Sequence, residues 1–74
     1  MPLRMVNEGQ EVLLKAILDG LRIRRRLTDM GLHPGSRIRV ITNSGGVPFI
    51  IAMGEIKLMI GRSLAQKIMI EEGK

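Results

Sequence analysis

The stretch from Arg22 to Ile41, RIRRRLTDMGLHPGSRIRVI, decides the fold. Ile23, Leu27 and Met30 recur at i, i+4 and i+7, so they share one face of a short helix. Gly31 then stands where a helix ends in the left-handed conformation, and Leu32 is placed to fold back onto Leu27. His33-Pro34-Gly35-Ser36 turns the chain. Arg37-Ile38-Arg39-Val40 alternates polar and apolar, as a half-buried strand does. So short a helix cannot bury its own apolar face and is expected to plug something built by the rest of the chain.

Outward from that block the pattern is of strands. Glu11 to Leu18 (EVLLKAIL) predicts a first strand, ended by the turn pair Asp19-Gly20 and apolar on both faces except at Lys15. Ser36 to Thr42 is the second strand, followed by the loop Asn43-Ser44-Gly45-Gly46. Pro48 confines the start of the next strand to an edge or an opening position. Phe49 to Met53 and Glu55 to Ile60 predict a hairpin around Gly54, with Ile56, Leu58 and Ile60 inward and Lys57 and Met59 outward. Gly61 to Ala65 reads as a single helical turn, Gln66 to Ile70 as a last strand, and Glu71 to Lys74 as a frayed tail. Five short strands with tight turns predict a mainly β fold. It is a small five-stranded antiparallel barrel with one inserted helix, since closing a small sheet protects its edges.

At 74 residues the chain is expected to form one domain, residues 1–74, near the lower size limit for a core without disulfides or metal. It has no cysteine, which excludes a disulfide framework and a thiolate site. Residues 1–8 carry no apolar signal-peptide core, and the longest apolar run, Val47 to Met53, is interrupted by Pro48 and too short for a bilayer. The expected location is cytoplasmic. The formal charge of +5 comes largely from Arg22, Arg24, Arg25, Arg26, Arg37 and Arg39. Hydrophobic residues make up 45% of the chain, with six methionines and one aromatic, Phe49. A chain this small and apolar leaves some apolar side chains on its surface, and methionine re-packs readily against a partner. Charge and apolar surface together point to binding.

Catalytic chemistry is not legible. The one histidine, His33, sits in a turn before proline, and Asp29, His33 and Glu55 lack the spacing of a metal site. No glycine pattern forms a nucleotide cradle. The arginines are different. Four of them crowd the first turns of the helix, where the macrodipole disfavours positive charge, and Arg22 repels Arg26 at i, i+4. Helix stability does not select that arrangement. A solvated charged face is the plain reading. The sharper one is a docking surface for an acidic partner, an RNA backbone or the anionic cytoplasmic leaflet. The Pro34-to-Ile41 turn and strand is similar to that of KOW-type RNA-binding barrels, but a single aromatic is no stacking platform for bases.

The chain resembles the ferrous iron transport protein A (FeoA) family. The elements that carry the likeness are Gly9-Gln10, Arg26-Leu27-Thr28-Asp29-Met30-Gly31-Leu32, Pro34-Gly35-Ser36, Gly46-Val47-Pro48, and Ile60-Gly61 followed by Ala65, Ile68 and Ile70. The resemblance implies an SH3-like barrel with an inserted helix. It also implies a cytoplasmic, non-enzymatic accessory of the ferrous-iron transporter FeoB, which carries a GTP-binding domain. The same barrel forms a domain of iron-dependent repressors of the DtxR type. Met59 departs from the family pattern, which often has a small residue there. No cofactor, catalytic residue or metal ligand is expected. The expected partner contacts are Arg25, Arg26, Leu32, Arg37 and Met59, with self-association as a further option.

Overall fold

A computed structural model describes residues 1–71. Strands β1 (Glu11–Ile17), β2 (Arg37–Thr42), β3 (Phe49–Met53), β4 (Ile56–Ile60) and β5 (Ile68–Glu71) form one antiparallel sheet in the order β4-β3-β2-β1-β5. Helix α1 (Leu21–Asp29) lies between β1 and β2, and α2 (Arg62–Lys67) links the two end strands of the sheet. The predicted mainly β, five-stranded fold is the observed one.

The end of α1 forms as its sequence requires. Gly31 has φ +96°, a conformation open to glycine at no steric cost. The Leu32 N–H donates to the Leu27 carbonyl at 2.8 Å, and the Gly31 N–H donates to Thr28 at 2.9 Å. These two bonds close a Schellman motif, and its apolar contact joins Leu27 to Leu32, both buried. The turn that follows is pinned to β1, because Gly35 N–H reaches the Leu14 carbonyl and Leu14 N–H reaches the Ser36 carbonyl, each at 2.8 Å.

Two bulges explain burial that simple alternation misses. Between Leu14 and Ala16 the β1–β5 register slips at Lys15, so Leu14 and Ile17 both point inward although three positions apart. A second slip lies between Val40 and Thr42. A core of Leu14, Ile17, Ile38, Val40, Phe49, Ile51, Ile68 and Ile70 fills the concave side of the sheet.

The N-terminal segment completes that core. A 3-10 turn at Leu3–Met5 buries Leu3, and Val6 follows it inward beside Ala65 of α2. The segment also covers the free edge of β5: Ile70 N–H donates to the Met1 carbonyl at 2.9 Å, and Pro2 bridges Met69. The edge is thus protected by the N-terminal segment, where closure of the sheet was the expected device.

Several boundaries differ from expectation. Leu18 lies outside β1. Gln66 and Lys67 continue α2, because the helix needs more than one turn to carry Ala65 into the core. Glu71 belongs to β5, paired with Leu13, while the rest of the expected tail lies outside the described residues. Ile56 is exposed at the hairpin end of β4, where the sheet has no further layer over it, and Met30 is exposed as the cap of α1.

The loop after β2 is tied down from three sides. Asn43 Nδ2 donates to the Arg4 and Val6 carbonyls at 2.8 Å, and Arg62 Nη2 donates to the Ser44 and Val47 carbonyls at 2.8 Å. The Glu8 carboxylate accepts from the Asn43 N–H at 2.7 Å and the Ser44 hydroxyl at 2.8 Å. Those bonds, the Asn43 one first, hold the Glu8 carboxyl below its ordinary value. A depressed carboxyl adds stability that is present above the unfolded pKa and disappears as pH falls through the folded pKa. The expected result is that the difference in Tm between the chain and Glu8→Gln is constant near neutrality. It should fade once pH drops below the ordinary glutamate range of about 4.3. A difference unchanged down to acid-unfolding conditions would show that the charge of Glu8 contributes nothing.

Candidate partner-binding site

Because β2 begins only at Arg37, opposite Leu13, the second half of β1 has no strand on that side. Helix α1 and the turn through Pro34 occupy the space instead. Between them is a groove of about 370 Å³, lined by Lys15, Ala16, Ile17, Leu21, Arg24, Arg25, Thr28, Asp29 and Pro34. Ala16, Ile17, Leu21 and Pro34 supply apolar surface. Lys15, Arg24 and Arg25 bring three positive charges against the single carboxylate of Asp29.

No fold-stabilising task accounts for those charges. Gly20 caps α1 without a side-chain hydrogen bond, and no acidic residue occupies the first turn. Arg22 and Arg24 therefore face the positive end of the helix dipole unrelieved, while Arg26 lies in the last turn. Among the described residues the ion pairs are Arg37 with Glu11 at 3.7 Å and Lys67 with Asp19 at 3.5 Å. Arg22, Arg24, Arg25 and Arg26 enter neither pair, and all four are exposed. A second, shallower depression on the helix is bordered by Leu21, Arg22, Arg25, Arg26 and Asp29. Arg25 thus stands between two concave surfaces.

The expected contact residues do not form one surface. Arg25 and Arg26 are neighbours on α1. Arg37 begins β2 and is tied to Glu11 across the β1–β2 pair. Met59 is 69% exposed on edge strand β4, opposite Ile50, which itself pairs with Thr42 at the far end of β2 from Arg37. Leu32 has to be withdrawn as a contact: it is 0% exposed, because the Schellman closure that places it against Leu27 also seals it in the core. Lys15 and Leu21 were not singled out from sequence, and Arg24 was read there as part of the arginine cluster without being named a contact. The bulge at Lys15, which shapes that wall of the groove, leaves no mark in a hydrophobic pattern.

His33 is held in its turn, its N–H donating to Ser36 Oγ at 3.0 Å and its Nδ1 lying 3.0 Å from the Pro34 carbonyl. Among the described residues no three of His, Asp and Glu gather closely enough to hold a metal ion. No helix among them is long and apolar enough to cross a membrane.

The FeoA domain model matches residues 1–72. This chain belongs to the FeoA family. A Methanocaldococcus jannaschii protein described as a candidate Fe(2+) transport protein A is 42% identical over 73 residues, spanning 99% of this chain and 88% of that protein. A crystal structure of an iron uptake regulatory protein, FeoA, superposes with TM-score 0.84 at 34% identity, covering 95% of this chain and 93% of that one. Zinc-complexed FeoA from Stenotrophomonas maltophilia is described as a procaryotic SH3 domain protein and a candidate ferrous iron transport activating factor. It superposes with TM-score 0.82 at 21% identity, over 96% of this chain and 89% of its own, a likeness of fold. The SH3-like architecture and the link to Fe(2+) transport thus come from family and fold together.

Proposed function

We propose that this FeoA chain is a non-enzymatic, cytoplasmic accessory of ferrous-iron uptake that docks on the cytoplasmic part of the transporter FeoB. The observation that carries this reading is the groove between α1 and β1, lined by both apolar and cationic side chains, in a chain of a Fe(2+) transport family. An acidic segment with an apolar anchor satisfies both parts of such a groove. Arg25, which lines the groove, and Arg26, on the adjoining depression, are the proposed contacts, joined by Lys15 and Arg24 of the groove. Arg37 and Met59 lie apart from this face and are proposed as contacts of a wider footprint. Docking alters the transporter only as far as it favours one conformation, or one nucleotide state, over another.

RNA binding is the weaker reading. The one aromatic side chain, Phe49, is 1% exposed, so no base can stack on it.

Calorimetry or surface capture with the purified cytoplasmic GTP-binding part of FeoB, and with the whole transporter in detergent, tests the proposal. Arg24→Glu combined with Arg25→Glu should weaken binding at least about tenfold at moderate salt without lowering Tm, since interface charges act on association and not on this fold. Absence of binding by the unaltered chain to either preparation defeats the proposal. Affinity for RNA that falls steeply with salt, with none for FeoB, replaces it with the nucleic-acid reading.

A further inference from the structure

The corner between β1 and α1 holds a second unexplained surface. Leu18 and Leu21 flank the Asp19-Gly20 turn and are 59% and 54% exposed. Leu18 lies outside both depressions on the helix, so the groove gives it no role. Its N–H donates to the Lys67 carbonyl at 2.7 Å, which anchors the corner to the end of α2 and brings Lys67 alongside. The Lys67 ammonium is 3.5 Å from Asp19, whose other oxygen accepts the Gly20 N–H at 2.7 Å. The one acid of the corner is thus already matched. On the far side, Leu21 borders the same depression as Arg22, Arg25 and Arg26. Asp29, two turns further along, is the only acid there.

Two exposed leucines at a turn, Leu21 bordered by unpaired arginines, serve neither the core nor the helix. The leucines remain in water, and Arg22 sits at the wrong end of the dipole. RNA would employ the cations and leave the leucines idle. An anionic lipid leaflet employs both. Leucines enter the boundary between headgroups and acyl chains, while long cationic side chains lay their stems along apolar surface and reach headgroup phosphates. We propose that the Leu18/Leu21 corner, with Arg22, Arg25, Arg26 and Lys67, docks this chain on the anionic surface of a lipid bilayer. The surface shares Leu21, Arg25 and Arg26 with the proposed FeoB face, but the inference does not require that the chain docks on FeoB. It adds that the chain reaches a membrane surface without help from a protein, where the neighbouring groove can meet a membrane partner.

Flotation of the whole chain with protein-free vesicles tests it. Phosphatidylcholine vesicles containing about a third phosphatidylglycerol should carry the chain upward, and pure phosphatidylcholine should not. Leu18→Ser with Leu21→Ser keeps every charge and should lower partitioning by about tenfold or more. Arg22→Glu with Arg26→Glu should lower it by about tenfold or more, and added salt should weaken the unaltered chain. Since the chain has no tryptophan, Leu18→Trp supplies a single indole whose emission should shift to the blue on anionic vesicles alone. No flotation, or no blue shift, overturns the proposal. So does flotation indifferent to the leucine substitutions and matched by equal affinity for polyuridine RNA, which would mark a general polyanion surface. Vesicle binding that survives while FeoB binding is absent defeats the docking proposal alone.

Discussion

Phe49→Ala is expected to destabilise the fold by about 3–5 kcal/mol, a large share of the stability of a fold this small. A chain of 74 residues has roughly 4–11 kcal/mol at about 0.05–0.15 kcal/mol per residue, so the variant should unfold at markedly lower temperature and urea concentration. The reason is particular to this composition. Phe49 is the only aromatic, is 1% exposed, and is the largest of the fully buried side chains. It opens β3, paired with Ile60 at the end of β4, and belongs to the one buried cluster that joins the strands to Ala65 of α2. No second ring is present to fill the space. Urea unfolding measures the effect. Phe49→Leu should cost clearly less, since more of the volume is kept. A Phe49→Ala loss under about 1 kcal/mol would mean that the core re-packs freely, and that Phe49 does not organise it.

The helix and its ending were legible because local signals agreed there: an i, i+4 apolar pair, a glycine at the left-handed position and a returning leucine. The strands were legible from alternation and turn residues, and β3 was read to the residue. What escaped was non-local. Leu3 and Val6 belong to the core, yet in Pro2-Leu3-Arg4-Met5-Val6 two isolated apolar residues announce neither a strand nor a helix. Their burial depends on α2 and β5, which are distant in sequence. Lys15 and Ile41 sit at slips in register that exist only between paired strands. Ile56 follows the inward alternation of β4 but lies beyond the area that the core covers.

The candidate site divides along the same line. A cluster of arginines on a short helix can be read from residue types alone. Whether they face one partner or several requires knowing which strand ends beside them. The structure separates Arg24, over the groove, from Arg22 and Arg26, on the outer depression, with Arg25 bordering both, and brings Lys15 to the groove from another element. Arg37 and Met59 looked equivalent to these by charge and apolarity. The topology gives them to different parts of the sheet.

Leu32→Ala is expected to destabilise by about 2–5 kcal/mol, nearly as much as the loss of Phe49, although its neighbours in sequence are exposed. Two roles were open to Leu32, folding back on Leu27 or meeting a partner, and they exclude each other: a side chain that closes a helix end against the core has no surface left to offer. With 0% exposure and its N–H on the Leu27 carbonyl, Leu32 has the first role. Truncation therefore removes core volume and also frees the last turn of α1, which meets the core mainly through Leu27. Leu27→Ala and Leu32→Ala should then be non-additive, with a coupling of about 0.5–3 kcal/mol in a double-mutant cycle, because each loosens what the other holds. Leu32→Met, nearly equal in volume, should cost less than about 1.5 kcal/mol and fold normally. That variant separates the two roles. If Leu32 is purely a core residue, the FeoB docking proposed above should be the same for Leu32→Met as for the unaltered chain, whereas a folded Leu32→Met with weakened binding would return Leu32 to the interface and require α1 to open when it docks.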